Sequence, residues 1–188
     1  IADFEASKGV LAICPATMTF SEEILNGIMD VAAAHKNDHG ADLVGINMEG
    51  PFISEAKKGA QNGAYLHAPD AAMFRRVQEK AGGLFKLCDL APELPGSMET
   101  IDELAGEVRI SIAHTTADYD TACEAFKHGA RQVTHLYNAM PPVWASFARL
   151  MFSTKRAFSC SESCPPFMAA DATAPMAPIM PIWPFSSR

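Results

Sequence analysis

Apolar residues recur along residues 10–142 in two alternating patterns. Short, nearly continuous apolar runs predict buried strands. Between these runs, apolar side chains recur at steps of three or four residues, which is typical of amphipathic helices. The pattern predicts strands at residues 10–16, 43–48, 84–90, 108–113 and 132–136, and helices at 21–32, 70–81, 97–104 and 117–127.

Strands that alternate with helices indicate parallel βαβ units, in which the helices cover the sheet. We therefore predict an α/β chain that is either part of a (β/α)8 TIM barrel or an open doubly wound sheet. A complete barrel usually needs about 250 residues, and this chain has 188. On the barrel interpretation the chain is a partial barrel, truncated at both ends.

The alternation ends at Pro142. Residues 143–188 mix Pro, Met and Ser with scattered aromatic residues and show neither period. Proline removes ladder donors and breaks helices, so this stretch does not continue the βα rhythm. We predict one domain over residues 1–142 with about five βα units, followed by an aberrant tail at 143–188 of the kind that a frameshift would produce.

Composition narrows the class of protein. Apolar residues make up 48% and charged residues 20% of the chain, as in ordinary globular proteins, and no apolar run approaches the ~20 residues of a membrane span. A net charge of −7 argues against a nucleic-acid partner, because phosphate backbones require clustered basic residues. Five cysteines without paired zinc-knuckle spacing favour reduced thiols and a cytoplasmic location.

Polar side chains follow three of the predicted strands. Glu49 comes after the second strand, His114 after the fourth, and His135 near the end of the fifth. The carboxyl ends of parallel strands form one face, where α/β proteins place their active sites. A lone histidine at a strand end is more often structural, but two histidines and a glutamate together favour a divalent metal site with an open position for water.

Five short segments extend this interpretation: GINMEGPFIS, KKGAQN, LAPE, ISIAHTTADYDTACEAFKHGA and VTHLYNAMPP. In this order and spacing they resemble N-acetylglucosamine-6-phosphate deacetylase, a family of the amidohydrolase superfamily. The resemblance covers residues 1–142. It implies a metal-dependent hydrolase barrel that removes acetate from N-acetylglucosamine 6-phosphate to give glucosamine 6-phosphate.

The resemblance also implies roles for individual residues. Glu49, His114 and His135 correspond to the ligands of one divalent metal ion, with zinc expected and iron or another divalent ion as alternatives. A small-molecule amino-sugar phosphate would be the substrate, and the intact family protein would be a homodimer. The substrate contacts implied are Gln61, Asn62, Asn138 and Ala139, where Gln61 stands in place of a histidine found in many members. Lys57 and Lys58 are interpreted as part of a solvated loop.

The catalytic acid of the family would fall late in the chain. The family carries an aspartate in a late (S/T)D(A/S) segment, and the only late match here is ADATAP, which offers Asp171. Asp171 follows His135 by 36 residues, whereas the family places further βα units between them. Three hypotheses therefore stand: a deacetylase or a fragment of one, another amidohydrolase of dihydroorotase or deaminase type, and a truncated product without activity.

Overall fold

The computed structural model describes residues 1–141 of the chain. Within them helices and strands alternate as predicted, and two short 3₁₀ helices, Glu55–Lys57 and Gly63–Tyr65, interrupt the loop after the third strand. The strands are β1 (Ala12–Ile13), β2 (Asp42–Leu43), β3 (Ile46–Glu49), β4 (Phe85–Leu90), β5 (Arg109–Ile112) and β6 (Gln132–Val133). The helices are α1 (Ala2–Ser7), α2 (Glu22–Ala34), α3 (Ala71–Lys80), α4 (Ser97–Leu104) and α5 (Tyr119–His128).

The strands are parallel, and their spatial order follows the chain. β1 pairs with β2, and β3, β4, β5 and β6 form a four-stranded sheet in that order. The segment after β1 continues alongside β3, because Asn47 N–H donates to Pro15 O and Thr17 N–H donates to Asn47 O, both at 2.9 Å. The prediction of an α/β chain with parallel strands is confirmed.

Some strand boundaries differ from the prediction. The predicted strand at 43–48 divides into β2 and β3, and the β3–β4 register shifts at Ile46 and Asn47. The predicted strand at 132–136 stops after Val133, since His135 adopts φ +55° and an L-residue with positive φ cannot continue a strand. Helix α1 was not predicted, because it spans fewer than two turns.

The two faces of the sheet differ in polarity. Met48, Cys88 and Ile110 lie in register on neighbouring strands and are fully buried in the core together with residues of α2, α3 and α4. Alternate strand residues point to opposite faces, so their neighbours Asp89 and Ser111 lie on the other side. The helices therefore cover an apolar face and leave a polar one.

No helix within residues 1–141 has the length and hydropathy to cross a membrane. The predicted tail at 143–188 lies outside the described residues.

Candidate metal centre

Glu49, His114 and His135 meet at the carboxyl ends of their strands. One ligand atom from each lies within 4.8 Å of the other two. Glu49 Oε1 is 2.9 Å from His114 Nε2 and 3.1 Å from His135 Nε2, and the two rings meet edge to face with centroids 4.9 Å apart. Two imidazole nitrogens and a carboxylate oxygen form a donor set suited to zinc and related divalent ions.

The tautomer of His114 is set by a neighbouring carbonyl. Nδ1 lies 2.7 Å from the backbone oxygen of Lys57. A carbonyl oxygen can only accept, so Nδ1 carries the ring proton and Nε2 of the neutral ring holds a lone pair. That lone pair faces the Glu49 carboxylate, and two acceptors in contact require either a second ring proton or a shared cation. The donor set therefore fits a metal ion, with the Lys57 carbonyl as the orienting group that metal-binding histidines usually have.

Both histidines have a strained backbone. His114 has φ +45° and His135 has φ +55°, a region that residues other than glycine rarely adopt and that clusters at functional sites. Hydrogen bonds hold both positions, because Ser54 N–H donates to His114 O at 3.0 Å and Asn138 N–H donates to His135 O at 2.9 Å. The surrounding loops thus fix both rings towards Glu49.

Glu49 is held in its charged form. Burial acts to raise the pKa of Glu49, but hydrogen bonds from His114 and His135 outweigh it, and the pKa lies below its ordinary value. The side chains of Glu49 and His114 are 13% and 7% exposed, whereas that of His135 is 40% exposed. The cluster therefore contains an ionised carboxylate and opens to solvent on the His135 side.

A cavity of about 500 Å³ lies over the cluster. Of the predicted substrate contacts, Gln61, Asn138 and Ala139 line it. Asn62 does not line this cavity, and its Oδ1 accepts from Ala64 N–H at 3.0 Å at the start of a 3₁₀ helix. Substrate contact stays a prediction for all four residues.

The loop containing Lys57 and Lys58 is only partly solvated. Both residues are half-buried and contribute to the cavity wall. The orienting group of His114 is the backbone carbonyl of Lys57, which no sequence pattern reveals. Sequence reasoning therefore missed this contact.

Asp89 was also missed by sequence reasoning, although its signal is visible as an acid within the apolar run LFKLCDL. Its carboxyl group is fully buried and accepts from Asn47 Nδ2 at 3.1 Å and Thr134 Oγ1 at 2.9 Å. Ser111 Oγ lies 2.8 Å from Thr134 Oγ1. Asp89 therefore links β4 to the three segments that carry Glu49, His114 and His135.

Glu93 of the LAPE segment connects that segment to the two threonines of the AHTT segment. Its carboxylate accepts from Thr115 Oγ1, and from Thr116 N–H and Oγ1 at 2.6 and 2.9 Å. These bonds tie the loop after β4 to the residues that directly follow His114. The predicted acid, Asp171, lies outside the described residues.

No protein-family model matches the chain. N-acetylglucosamine-6-phosphate deacetylase of Mus musculus is 39% identical over 140 residues, which cover 72% of this chain and 34% of the mouse protein. The Bacillus subtilis (strain 168) protein of the same name is 42% identical over 123 residues, or 65% of this chain and 31% of its own length. The chain thus spans about a third of the curated relatives it matches.

Solved structures agree with these relatives. A mutant of N-acetyl-D-glucosamine-6-phosphate deacetylase from Mycobacterium smegmatis, in complex with N-acetyl-D-glucosamine-6-phosphate, matches with TM-score 0.66 and 30% identity, over 71% of this chain and 35% of that one. The Thermotoga maritima enzyme matches with TM-score 0.65 and 27% identity, over 76% of this chain and 38% of that one.

Proposed function

Because the chain carries a segment of the N-acetylglucosamine-6-phosphate deacetylase family, we propose that it serves the metal-dependent deacetylation of N-acetylglucosamine 6-phosphate. The products are glucosamine 6-phosphate and acetate. The observation that carries this proposal is the convergence of Glu49, His114 and His135 beneath an open cavity, with the proton of His114 directed away from the cluster by the Lys57 carbonyl.

We propose that these three side chains hold one divalent ion, with zinc expected. Three protein ligands leave a position for water in catalytic zinc sites. A bound ion of this kind supplies a nucleophilic water at neutral pH and polarises the acetamide carbonyl. The protein's own part is to hold Glu49 ionised, to orient the His114 ring through its Nδ1 contact with the Lys57 carbonyl, and to leave the His135 side open to substrate.

The strand order supports a partial (β/α)8 barrel of the metal-dependent hydrolase type. Neighbouring strands follow the chain from β1 to β6, as in a barrel, whereas a doubly wound sheet reverses its order at a switch point. The cluster lies at the carboxyl ends of the strands, where barrel enzymes place their sites. A homodimer of the intact family protein and a cytoplasmic location are proposed on the resemblance.

The cavity supports a sugar-phosphate substrate. Its volume falls within the range of small-molecule sites, and its wall contains polar groups that bind hydroxyl and phosphate oxygens. We propose that Asn138 and Ala139 face the sugar phosphate, as the resemblance implies, while Gln61 and Asn62 are the weaker candidates for contact.

A second candidate function is a metal-binding scaffold without turnover. Glu49 is the only carboxylate among the described residues that line the cavity, and as a ligand it is not free to protonate the leaving amine. The aspartate that the resemblance implies as general acid must therefore come from another part of the protein, and Asp171 is the proposed source. If Asp171 does not reach the site, the chain binds the ion but does not release acetate.

Metal analysis and acetate release from N-acetylglucosamine 6-phosphate test the proposal on the full chain. We expect about one divalent ion per chain and measurable acetate. Asp171→Asn should abolish acetate release while the ion stays bound. Asp120→Asn, on the exposed surface of α5, should leave both acetate release and metal binding unchanged. A folded, metal-loaded chain without turnover would favour the scaffold, and a folded chain that binds no ion would refute both.

A further inference from the structure

Both ends of the Gln61 amide are already bonded inside the protein. Gln61 is 5% exposed. Its Oε1 accepts from the backbone N–H of Thr19 at 2.7 Å, and its Nε2 donates to Glu49 Oε1 at 3.0 Å. An N–H can only donate and a carboxylate can only accept, so the partners allow one orientation of this amide.

Backbone hydrogen bonds hold Gln61 both at its side-chain amide and at its own main chain. Thr19 is fully buried in the segment that follows β1, and the backbone N–H of Gln61 donates to Lys58 O at 3.1 Å. The amide therefore connects the β1 segment, the loop at residues 58–62 and the end of β3. Little freedom is left for Gln61 to turn towards a ligand in the cavity.

We propose that Gln61 is a positioning residue, which holds the Glu49 carboxylate so that Oε1 faces His114 and His135 before an ion arrives. The inference rests on the proposed metal site. A carboxylate oxygen has two lone pairs, so Oε1 accepts from Gln61 while it still faces the histidines. An amide does not titrate near neutral pH, so the donor of this bond stays in place while Glu49 is ionised.

The structure offers a matched control for this inference. Gln78 is a half-buried glutamine whose amide also makes two internal bonds, donating to Phe85 O and accepting from Phe85 N–H, each at 2.9 Å. It lies on α3, away from the cluster. Gln61→Met and Gln78→Met remove the same kind of group, but only the first lies next to Glu49.

Competition for zinc with a chromophoric chelator is the test, on the full chain and its variants. Loss of a hydrogen bond to a ligand typically weakens metal binding about 10- to 100-fold, and we expect this for Gln61→Met. Gln78→Met should bind zinc as the wild type does. Gln61→His, which keeps a donor, should recover most of the affinity. Equal affinity of Gln61→Met and wild type, or equal weakening by both methionine variants, would overturn the inference.

A measurement on the unaltered protein decides the matter if a variant does not fold. In the metal-free chain, the side-chain amide protons of Gln61 should exchange slowly with water, and their resonance should shift when zinc is added. Fast exchange would show that the bond to Glu49 does not form, and would refute the positioning role. A wild type that binds no zinc would instead refute the proposed function, while slow exchange would still establish the bond.

Discussion

Asp89 has a carboxyl group that is fully buried in the fold. Burial raises the pKa of its carboxyl group to about 6, against hydrogen bonds from Asn47 and Thr134 that act to lower it. A carboxyl group with a higher pKa in the folded than in the unfolded state binds its proton more tightly when folded. Its contribution to stability is therefore complete in acid and is lost as the pH rises through about 6.

The raised pKa of Asp89 predicts how Asp89→Asn changes the free energy of unfolding with pH. A pKa raised by about two units corresponds to about 3 kcal/mol in total, of which about 2 kcal/mol is lost between about pH 4.5 and about pH 7.5. Asparagine does not titrate, so the variant should not lose this stability as the pH rises. The free energy of unfolding of the variant, relative to that of the wild type, should therefore increase by about 2 kcal/mol across this range. Urea unfolding without metal measures the difference, and a difference independent of pH would contradict the prediction.

Among the elements, β3 depends on a glycine at the point where it leaves the sheet. Gly50 has φ +81°, and a Cβ at this position would lie 2.0 Å from Thr19 Oγ1. Only glycine accepts both the left-handed backbone and the close approach. Gly50 thus determines where the chain turns directly after Glu49.

Gly83 allows the two effects at Gly50 to be separated. It has φ +82°, but a Cβ there would meet no atom within 4 Å. Gly83→Ala should therefore lower the free energy of unfolding by about 1–2 kcal/mol, the cost of the left-handed backbone alone. Gly50→Ala should cost on the order of 3 kcal/mol or more, because Thr19 must also move. Thermal or urea unfolding compares the two variants, and equal costs would show that the approach to Thr19 is not limiting.

Three of the helices, α2, α3 and α5, begin at a polar side-chain cap. Ser21 Oγ accepts from Ile24 N–H, Asp70 Oδ1 from Met73 N–H and Asp118 Oδ1 from Thr121 N–H, at 3.3, 3.0 and 2.9 Å. Such a cap is a local interaction between residues three apart, so the sequence shows it directly. The same locality explains why helix positions were predicted better than strand ends.

At the scale of the whole molecule, the described residues leave apolar surface at one end of the sheet. Leu11, Val31 and Ile1 are 84%, 75% and 94% exposed. Within residues 1–141, β1 pairs on one side only. A sheet edge with apolar neighbours is a site for association with another chain.

We therefore expect the full chain to self-associate, with a sedimentation coefficient that rises with concentration. Leu11→Lys should reduce the association, because a charge beside the edge strand opposes pairing. Ala72→Lys, on the exposed side of α3, adds the same charge away from the edge and should leave association unchanged. A monomer at all concentrations would contradict this prediction.

The alternation of strands and helices, and the strand ends that carry Glu49, His114 and His135, could be predicted from the sequence alone. These features follow from periodicity and local segments, which neighbouring residues define. The sequence also resembles a deacetylase family, and two relatives with the name of that family are 39% and 42% identical to the chain. The parts played by Asp171 and by residues 143–188 stay predictions.

The contacts that support the cluster become visible only in the folded chain. The carbonyl of Lys57 on His114, the amide of Gln61 between Thr19 and Glu49, and the buried carboxyl of Asp89 each join residues separated by more than ten positions. A backbone carbonyl has no signature in the sequence, and the direction of an amide depends on which loops the fold brings beside it. Contacts of this kind arise when the strands pair, so they cannot be deduced from any one segment.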